Sequence, residues 1–298
     1  MSPHLRFTKL DVFTSTPFSG NPLAIVHVPP NVTLSQDEKQ LVAREFNLSE
    51  TVFHHEQDSH DPVTIDIFTT TEELPFAGHP TIGSGFHLLS IAPDRDTVTL
   101  RTKAGDIPVV QEGGMVKLQV PIDFKTHPSL AIPQLKTPQA ALHDADFVHG
   151  RTGAEACASI VKGMTFVLLA LASEDALARM GPYPARLTVP DAETVLGPWG
   201  VGFAGVYAFF ERADGVVRTR MFDGTLEDPA TGSAASTLAG WLALRRGPGV
   251  HVVDILQGVE MGRRSEIKVT VRVGDDGVIQ RIELEGAAVK VMEGFIDI

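Results

Sequence analysis

The sequence predicts an α+β protein of two pseudo-symmetric domains, and three observations support this prediction. Strand-like and helix-like segments are mixed along the whole chain of 298 residues. A strand–turn–helix pattern occurs twice, and its two copies are 154 residues apart, as Gly78 and Gly232 are. Between the copies, residues 121–138 are rich in proline, histidine and threonine, which is typical of a linker. We therefore predict domains at residues 1–126 and 127–298, with a last strand that can cross back to the first domain.

The repeated pattern consists of a strand end, a turn and the start of an apolar helix. Its copies, residues 68–79 and 222–233, lie on either side of the linker-like segment. A duplicated unit of this kind indicates two domains of similar topology. Four residue identities define the repeat: Phe68 with Phe222, Glu73 with Glu227, Pro75 with Pro229, and Gly78 with Gly232.

Strands are predicted where apolar and polar residues alternate or where β-branched residues fill a short segment. A short strand is also expected directly after Glu50, at Thr51–Phe53. The other predicted strands are residues 7–13, 23–28, 63–69, 98–102, 107–110, 116–120, 165–171, 206–211, 216–221, 250–256, 266–273 and 278–285.

Three helices are predicted, at residues 35–46, 80–90 and 231–246. The first begins with Ser35 and Glu38, the two residues of a capping box. The second has a proline in its first turn, where the missing N–H costs nothing. The third has apolar residues on one face and ends in two arginines followed by Gly247, which is typical of a helix stop.

Composition excludes several classes of function. The net charge is −12, so binding to nucleic acid or to an anionic membrane is disfavoured, because either needs a basic surface. Cys157 is the single cysteine, which excludes an intrachain disulfide and a zinc site built from cysteines. Residues 1–12 lack an apolar stretch of signal-peptide length, and no apolar run is long enough to span a bilayer. We therefore expect a cytoplasmic protein.

The two repeated helix starts are candidate binding sites for a carboxylate. A helix N-terminus presents unpaired N–H groups and the positive end of the helix dipole, so it binds anions without lysine or arginine. Gly78 and Gly232 allow a ligand to approach the backbone closely. If the two halves face one another, both helix starts would flank one cleft. The alternative is that each glycine serves only the tight turn before a buried helix.

Four polar residues near these turns are candidates for chemistry. Glu50 lies between Ser49 and an apolar strand, where burial would raise its pKa towards neutrality and suit it to proton transfer. His79 could donate a hydrogen bond or relay a proton. Asp228 and Ser233 lie at the second turn. The alternatives are a solvated glutamate, a histidine bonded near a helix cap, an ordinary N-cap aspartate and a first-turn serine without a chemical role.

Sites for nucleotides and metals are weakly supported. The segment Gly83–Gly85 lacks the third glycine of a dinucleotide fingerprint and falls inside a predicted helix. His54, His55 and His60 have the composition of a metal cluster, but the intervening residues are those of a polar loop. We therefore predict neither a bound cofactor nor a metal.

Six sequence blocks, in order and correctly spaced between residue 7 and about residue 270, resemble the phenazine-biosynthesis (PhzF-like) family. Any one block is modest support, whereas six in order are specific. Residues 128–156 match nothing specific in that family. The blocks are Asp11–Thr14, Phe18–Ala24, Asn47–Thr51, Leu74–Thr81, Glu227–Ala234 and Gln257–Arg263.

The resemblance implies the diaminopimelate epimerase fold, in which each of two domains is a curved, barrel-like mixed sheet wrapped around a central helix. It also implies that Glu50 is the catalytic acid/base and that His79 and Asp228 assist it. The substrate would be bound by Ser233 and the glycines Gly78 and Gly232. Diaminopimelate epimerases use two cysteines, and a chain with one cysteine cannot supply two thiols.

The implied activity is the isomerisation of a small cyclic or unsaturated carboxylic acid by proton transfer, as in trans-2,3-dihydro-3-hydroxyanthranilate isomerase. No redox cofactor or metal is required, the partner is a small anionic substrate, and a homodimer is expected. Two alternatives stay open at this point: a one-base epimerase of a small carboxylic acid, and a non-catalytic metabolite-binding protein of the same fold. Product stereochemistry distinguishes an epimerase from the isomerase, and proton exchange with solvent distinguishes a non-catalytic protein from either enzyme.

Overall fold

The computed structural model describes residues 4–57, 62–200 and 202–298. Strands dominate it, and they differ widely in length. In chain order they are β1 His4–Val12, β2 Asn21–Val28, β3 Thr51–His55, β4 Val63–Phe68, β5 Glu73–Leu74, β6 Thr97–Thr102, β7 Gly105–Glu112, β8 Met115–Gln119, β9 Lys125–Leu130, β10 Glu155–Val161, β11 Met164–Ala170, β12 Phe203–Glu211, β13 Val217–Asp223, β14 Leu226–Asp228, β15 Gly249–Gln257, β16 Ser265–Val273, β17 Ile279–Gly286 and β18 Ala288–Asp297.

The three longest helices are the three that the sequence predicts. The capping box of the first is confirmed, because the Ser35 side chain accepts from the Glu38 N–H and the Glu38 side chain accepts from the Ser35 N–H. The third helix ends at Gly247. The helices are α1 Gln36–Phe46, α2 Gly78–Ser90, α3 Pro133–Lys136, α4 Glu174–Arg179, α5 Ala192–Val195 and α6 Gly232–Arg246.

The chain divides into two compact units. The first comprises Met1–Gln119 and Glu285–Ile298, and the second comprises Val120–Leu284. The division therefore lies at residues 119 and 120, whereas the sequence analysis placed it at 126 and 127. The returning segment contains β18, which pairs antiparallel with β1 along its length.

In the first unit, a mixed sheet surrounds α2. Its strands follow the order β18–β1–β2–β3–β4–β6–β7–β8, with β2–β3 and β4–β6 parallel, the other neighbours antiparallel and β5 beside the end of β4. Helix α2 contacts strands from both ends of this order, so the sheet curves around it. Gly83 and Gly85 permit this packing. A Cβ at Gly83 would lie 2.4 Å from Leu23, and a Cβ at Gly85 would lie 2.6 Å from Val109.

The second unit repeats the same topology around α6. Its strands follow the order β9–β10–β11–β12–β13–β15–β16, with β14 beside the end of β13. The parallel pairs, β11–β12 and β13–β15, occupy the places of β2–β3 and β4–β6 in the first unit. The order and the sense of pairing therefore match over seven strands, from β18 to β7 in the first unit and from β9 to β16 in the second, which is the pseudo-symmetry that the repeat predicts.

The linker prediction for residues 121–138 was wrong. That segment contains β9 and α3, and β9 pairs antiparallel with β10, which the sequence analysis also missed. Most residues of β9 are exposed, so its side chains show no alternation of apolar and polar residues. Backbone hydrogen bonds to a neighbouring strand hold it in place, and such bonds leave no pattern in the sequence.

Candidate active site

Glu50 lies in the short connection between α1 and β3. Helix α1 ends at Asn47, whose left-handed backbone (φ 50°, ψ 40°) turns the chain sharply. Three residues later Glu50 directly precedes the first residue of β3, Thr51. The Glu50 side chain is 18% exposed and therefore largely buried.

His79 lies in the first turn of α2 and contacts Glu50 directly. Its ring is 4% exposed, and its Nδ1 lies 2.9 Å from Glu50 Oε2. Its Nε2 lies 3.1 Å from the backbone oxygen of Asn21. A carbonyl oxygen can only accept a hydrogen bond, so Nε2 carries a hydrogen and donates it. The ring is therefore fixed at both nitrogens.

The backbone of Asn21 takes part in this arrangement, and the sequence analysis assigned Asn21 no role. Asn21 begins β2 and pairs with Val12 on β1. The preceding Gly20 has φ +65°, and a Cβ there would lie 2.3 Å from the backbone oxygen of Val12. Only glycine fits this turn without strain. The turn places the Asn21 carbonyl under His79, and the only sequence signal was the Gly20–Pro22 motif itself.

The pKa of Glu50 moves opposite to the sequence-based expectation. Burial raises the pKa of this carboxyl group, as expected. The hydrogen bond from His79, the electrostatic attraction to that ring and a hydrogen bond from Ser49 together lower it by more, so the pKa lies below its ordinary value. The expectation failed because the local sequence shows the apolar strand but not the histidine 29 residues away.

The second predicted group of residues lies at the start of α6. Asp228 is the last residue of β14, and Gly232 and Ser233 are the first two residues of the helix. The Thr231 hydroxyl donates to Asp228 Oδ2, and the Gln257 side chain donates to the Asp228 backbone oxygen at 2.8 Å. Thr231 and Gln257 carry no role in the sequence analysis, although both fall inside motif blocks of the resemblance.

Both repeated helix starts lack a side-chain cap. Helix α2 follows Ala77 and α6 follows Thr231, and neither of these N-cap residues accepts a hydrogen bond from its helix through a side chain. The first N–H groups of both helices are therefore not used by a capping side chain, which is the condition for binding an anion there. Gly78 and Gly232 are both buried and begin their helices, as the repeat predicts.

The histidines considered as metal ligands have other surroundings. His55 Nε2 lies 2.6 Å from Asp66 Oδ2, whereas His54 is buried and its ring stacks edge-on against His27. His60 lies outside the described residues. In residues 4–57, 62–200 and 202–298 no group of three or more histidine, cysteine, aspartate or glutamate side chains could hold a metal ion. Cys157 is buried in β10.

Across the described part of the chain, every helix is too short or too polar to cross a membrane.

Known proteins are similar to this chain in sequence and in fold. Residues 10–294 match the family described as "Phenazine biosynthesis-like protein". The trans-2,3-dihydro-3-hydroxyanthranilate isomerase of Pseudomonas aeruginosa is 33% identical over 300 residues, covering 97% of this chain and 98% of that protein. The protein of the same name from Pseudomonas fluorescens is 31% identical, and the match covers 98% of this chain and 99% of that protein. A solved structure of the Bacillus anthracis phenazine biosynthesis protein of the PhzF family superposes with a TM-score of 0.75 at 21% identity, covering 99% of this chain and 100% of that one.

The structural match and the topology agree on the fold. Each unit is a curved mixed sheet around a central helix, and the fold is that of diaminopimelate epimerase and proline racemase. The relatives that match over nearly their full length are isomerases, and the chain is an isomerase. Its sequence blocks, its family match and its fold coincide: the chain belongs to the phenazine biosynthesis-like (PhzF) family.

Proposed function

We propose that the protein is a cofactor-independent isomerase that moves a proton on a small cyclic or unsaturated carboxylic acid, with Glu50 as its acid/base. The relatives at 33% and 31% identity are named for trans-2,3-dihydro-3-hydroxyanthranilate, so this compound is the first substrate to test. The observation that carries the proposal is the Glu50–His79 pair, whose atoms Oε2 and Nδ1 lie 2.9 Å apart.

The hydrogen bonds of His79 define the protonation states that the pair can adopt. Because Nε2 already holds a hydrogen for the Asn21 carbonyl, the contact between Nδ1 and Glu50 is made by one further proton. When Glu50 is ionised, that proton resides on Nδ1 and the ring is an imidazolium. The cation then stabilises the carboxylate, which agrees with the lowered pKa of Glu50.

The lowered pKa keeps Glu50 ionised, as a group that first removes a proton must be, and it also makes the carboxylate a weaker base. Glu50 is then ionised near neutral pH and can remove the proton from C3 of the substrate. In trans-2,3-dihydro-3-hydroxyanthranilate, the electrons of the broken C–H bond delocalise through the diene of the ring. The carboxyl group of Glu50 then returns the proton at C1. The resulting enol relaxes to a ketone. The His79 cation, which keeps Glu50 ionised at rest, also makes the protonated Glu50 a stronger acid for this second transfer.

The reaction needs no redox partner because it conserves atoms and electrons. A proton leaves one carbon and a proton returns to another, so substrate and product are isomers. An acid/base group, a means of holding the carboxylate and a means of orienting the ring suffice for such a step. We propose that the helix N–H groups near Gly78, Gly232 and Ser233 hold the anionic group and that Asp228 orients a polar substituent.

The replacement Glu50→Gln tests the proposal. Glutamine keeps the size of the side chain and can still form hydrogen bonds, but it cannot take up the proton. We expect the isomerisation rate and the exchange of substrate protons with heavy water to fall about 10²–10⁴-fold, the usual contribution of a general acid/base. Binding of 3-hydroxyanthranilate, the aromatic counterpart that cannot react in this way, should change little, because the anion is held elsewhere.

Glu45→Gln is the matched control. Glu45 is an exposed glutamate of α1, five positions before Glu50, so its replacement removes the same charge without touching His79. The control should exchange at the wild-type rate. Near-normal exchange in Glu50→Gln would exclude Glu50 as the base. Exchange without net isomerisation, together with an inverted stereocentre in the product, would instead identify a one-base epimerase.

A further inference from the structure

A buried network of hydrogen bonds lies behind the Asp228 turn in the second unit. Gln257, at the end of β15, is fully buried, as is Tyr207 on β12. The Gln257 side chain reaches the turn because the next residue, Gly258, has φ +71° and its backbone passes close to Pro229. A Cβ at Gly258 would lie 2.6 Å from the Pro229 oxygen, so only glycine permits this approach.

All four hydrogen-bonding positions of the Gln257 amide are occupied. Oε1 accepts from the Thr231 N–H at 3.3 Å and from the Tyr207 hydroxyl at 3.0 Å. Nε2 donates to the Asp228 backbone oxygen at 2.8 Å and to Thr231 Oγ1 at 3.0 Å. If the amide were flipped, its NH₂ group would face the Thr231 N–H and its oxygen would face the Asp228 backbone oxygen, so neither hydrogen bond could form. The amide orientation is therefore determined by its neighbours.

This orientation fixes the direction of the hydroxyl groups on either side. Gln257 Nε2 can only donate, so the Thr231 hydroxyl accepts from it and directs its own hydrogen to Asp228 Oδ2. Gln257 Oε1 can only accept, so the single phenol hydrogen of Tyr207 points to it. The Thr219 hydroxyl, 3.0 Å from the phenol oxygen, then donates to Tyr207. Burial raises the pKa of Tyr207, which keeps the phenol protonated as a donor.

We propose that Gln257 and Thr231 are positioning residues whose directed hydrogen bonds, beginning at Thr219 and Tyr207, end on Asp228 and hold its carboxylate in one orientation. The proposal rests on the function proposed above, in which Asp228 orients the substrate. Every donor in this series of hydrogen bonds points towards the Asp228 carboxylate, and hydrogen bonds aligned in this way strengthen one another in a buried environment.

The replacements Thr231→Val and Thr231→Ser test the proposal. Valine matches the shape of threonine but ends the chain one bond before Asp228, whereas serine keeps the hydroxyl. We expect kcat/KM to fall about 10- to 100-fold in Thr231→Val, the factor that follows from losing one hydrogen bond to a charged group. Thr231→Ser should restore most of the rate. Thr237→Val is the control, because Thr237 is a buried threonine of the same helix whose hydroxyl donates to the Ser233 backbone oxygen.

A second measurement needs no substrate. A donor to a carboxylate stabilises its ionised form, so this contribution to stability is present above the unfolded pKa of aspartate and is lost as the pH falls. The loss of stability caused by Thr231→Val should therefore be largest near neutral pH and should shrink as the pH falls below about 4. Thr237→Val should lose the same amount at each pH. The charged groups beside the turn stay unchanged in both variants: Glu227, Arg220 and Glu260.

The two measurements separate this inference from the function on which it rests. A wild-type protein that does not isomerise the substrate would contradict the proposed function, and the pH dependence of stability would still test the chain. Activity that is lost in Glu50→Gln but kept in Thr231→Val would overturn the positioning role alone. A stability loss in Thr231→Val that is the same at every pH would show that the hydroxyl does not donate to an ionised Asp228. Gln257→Glu, which cannot donate from the former Nε2 position, should lose at least as much activity as Thr231→Val.

Discussion

At Glu50 two opposing effects act on one carboxyl group. Burial, the largest single effect, disfavours its ionised form, whereas the hydrogen bond and attraction from His79 and a hydrogen bond from Ser49 together favour it more, so the pKa is lowered. The histidine is in turn held by the Asn21 carbonyl at 3.1 Å, so its ring cannot rotate away from Glu50 without losing a buried hydrogen bond. The protonation of Glu50 therefore depends, through His79, on the Asn21 carbonyl, a backbone group that does not itself titrate.

The replacement His79→Asn separates the hydrogen bond to Glu50 from the charge. Asparagine can still donate to Glu50 but cannot carry a positive charge, so the pKa of Glu50 should rise. Because the proposed reaction needs ionised Glu50, the acidic limb of the pH–rate profile should move to higher pH. Measuring kcat across the pH range for wild type, His79→Asn and the exposed control His4→Asn tests this. An acidic limb at the same pH in all three proteins would contradict a charged His79 beside Glu50.

Three buried histidines connect β2, β3 and α2 in the first unit. His27 and His54 are neighbours on the parallel strands β2 and β3, and the His87 ring of α2 lies 5.2 Å from that of His27. Burial, followed by nearby positive charges, lowers the pKa of His27 to about 3 and of His54 and His87 to about 4. Among the described residues, one ring nitrogen of each histidine has no hydrogen-bond partner. These imidazoles are therefore packed as neutral, weakly polar groups in the core.

Acidification should destabilise the protein through these histidines. Between pH 6.5 and their lowered pKa values, the unfolded chain binds protons that the folded protein does not, so stability falls as the pH falls. The loss at pH 5.5 amounts to about 1 kcal/mol for each histidine. Urea unfolding at neutral pH and at pH 5.5 should show it, and His87→Leu should reduce it by about one third. Equal pH dependence in wild type and His87→Leu would contradict this account, and the exposed control His4→Leu should behave as wild type.

At the scale of the whole molecule, one topology is used twice with different chemistry. Both units present a helix that begins at a glycine without a side-chain cap. The first unit adds the hydrogen-bonded pair of Glu50 and His79, and the second adds a neutral network of hydrogen bonds that ends on Asp228. A duplicated scaffold with diverged side chains is consistent with the proposed function, in which the scaffold would supply anion-binding helix ends and the side chains would supply the acid/base.

The proposed chemistry predicts that activity does not depend on a metal or a dissociable cofactor. A proton shift conserves electrons, and Glu50 with His79 supplies the acid/base, so exhaustive chelation and dialysis should leave the isomerisation rate unchanged. A zinc enzyme treated in parallel shows that chelation was effective. Activity that disappears with the chelator and returns with zinc or magnesium would contradict cofactor independence and would redirect attention to His54 and His55.

The sequence by itself determined the repeat, the three long helices, the motif blocks and Glu50 and His79 as separate candidate residues. These features are local, because capping residues, apolar periodicity and motif spacing act within a few residues along the chain. Tertiary structure alone decided the direction of the Glu50 pKa shift, the contact of His79 with the Asn21 carbonyl, the strand β9 and the role of Gln257. Each depends on groups far apart in the chain, such as Gln257 and Tyr207, which only the folded sheet brings within 3.0 Å. Hydrogen-bond geometry and burial are properties of that arrangement, and no local pattern encodes them.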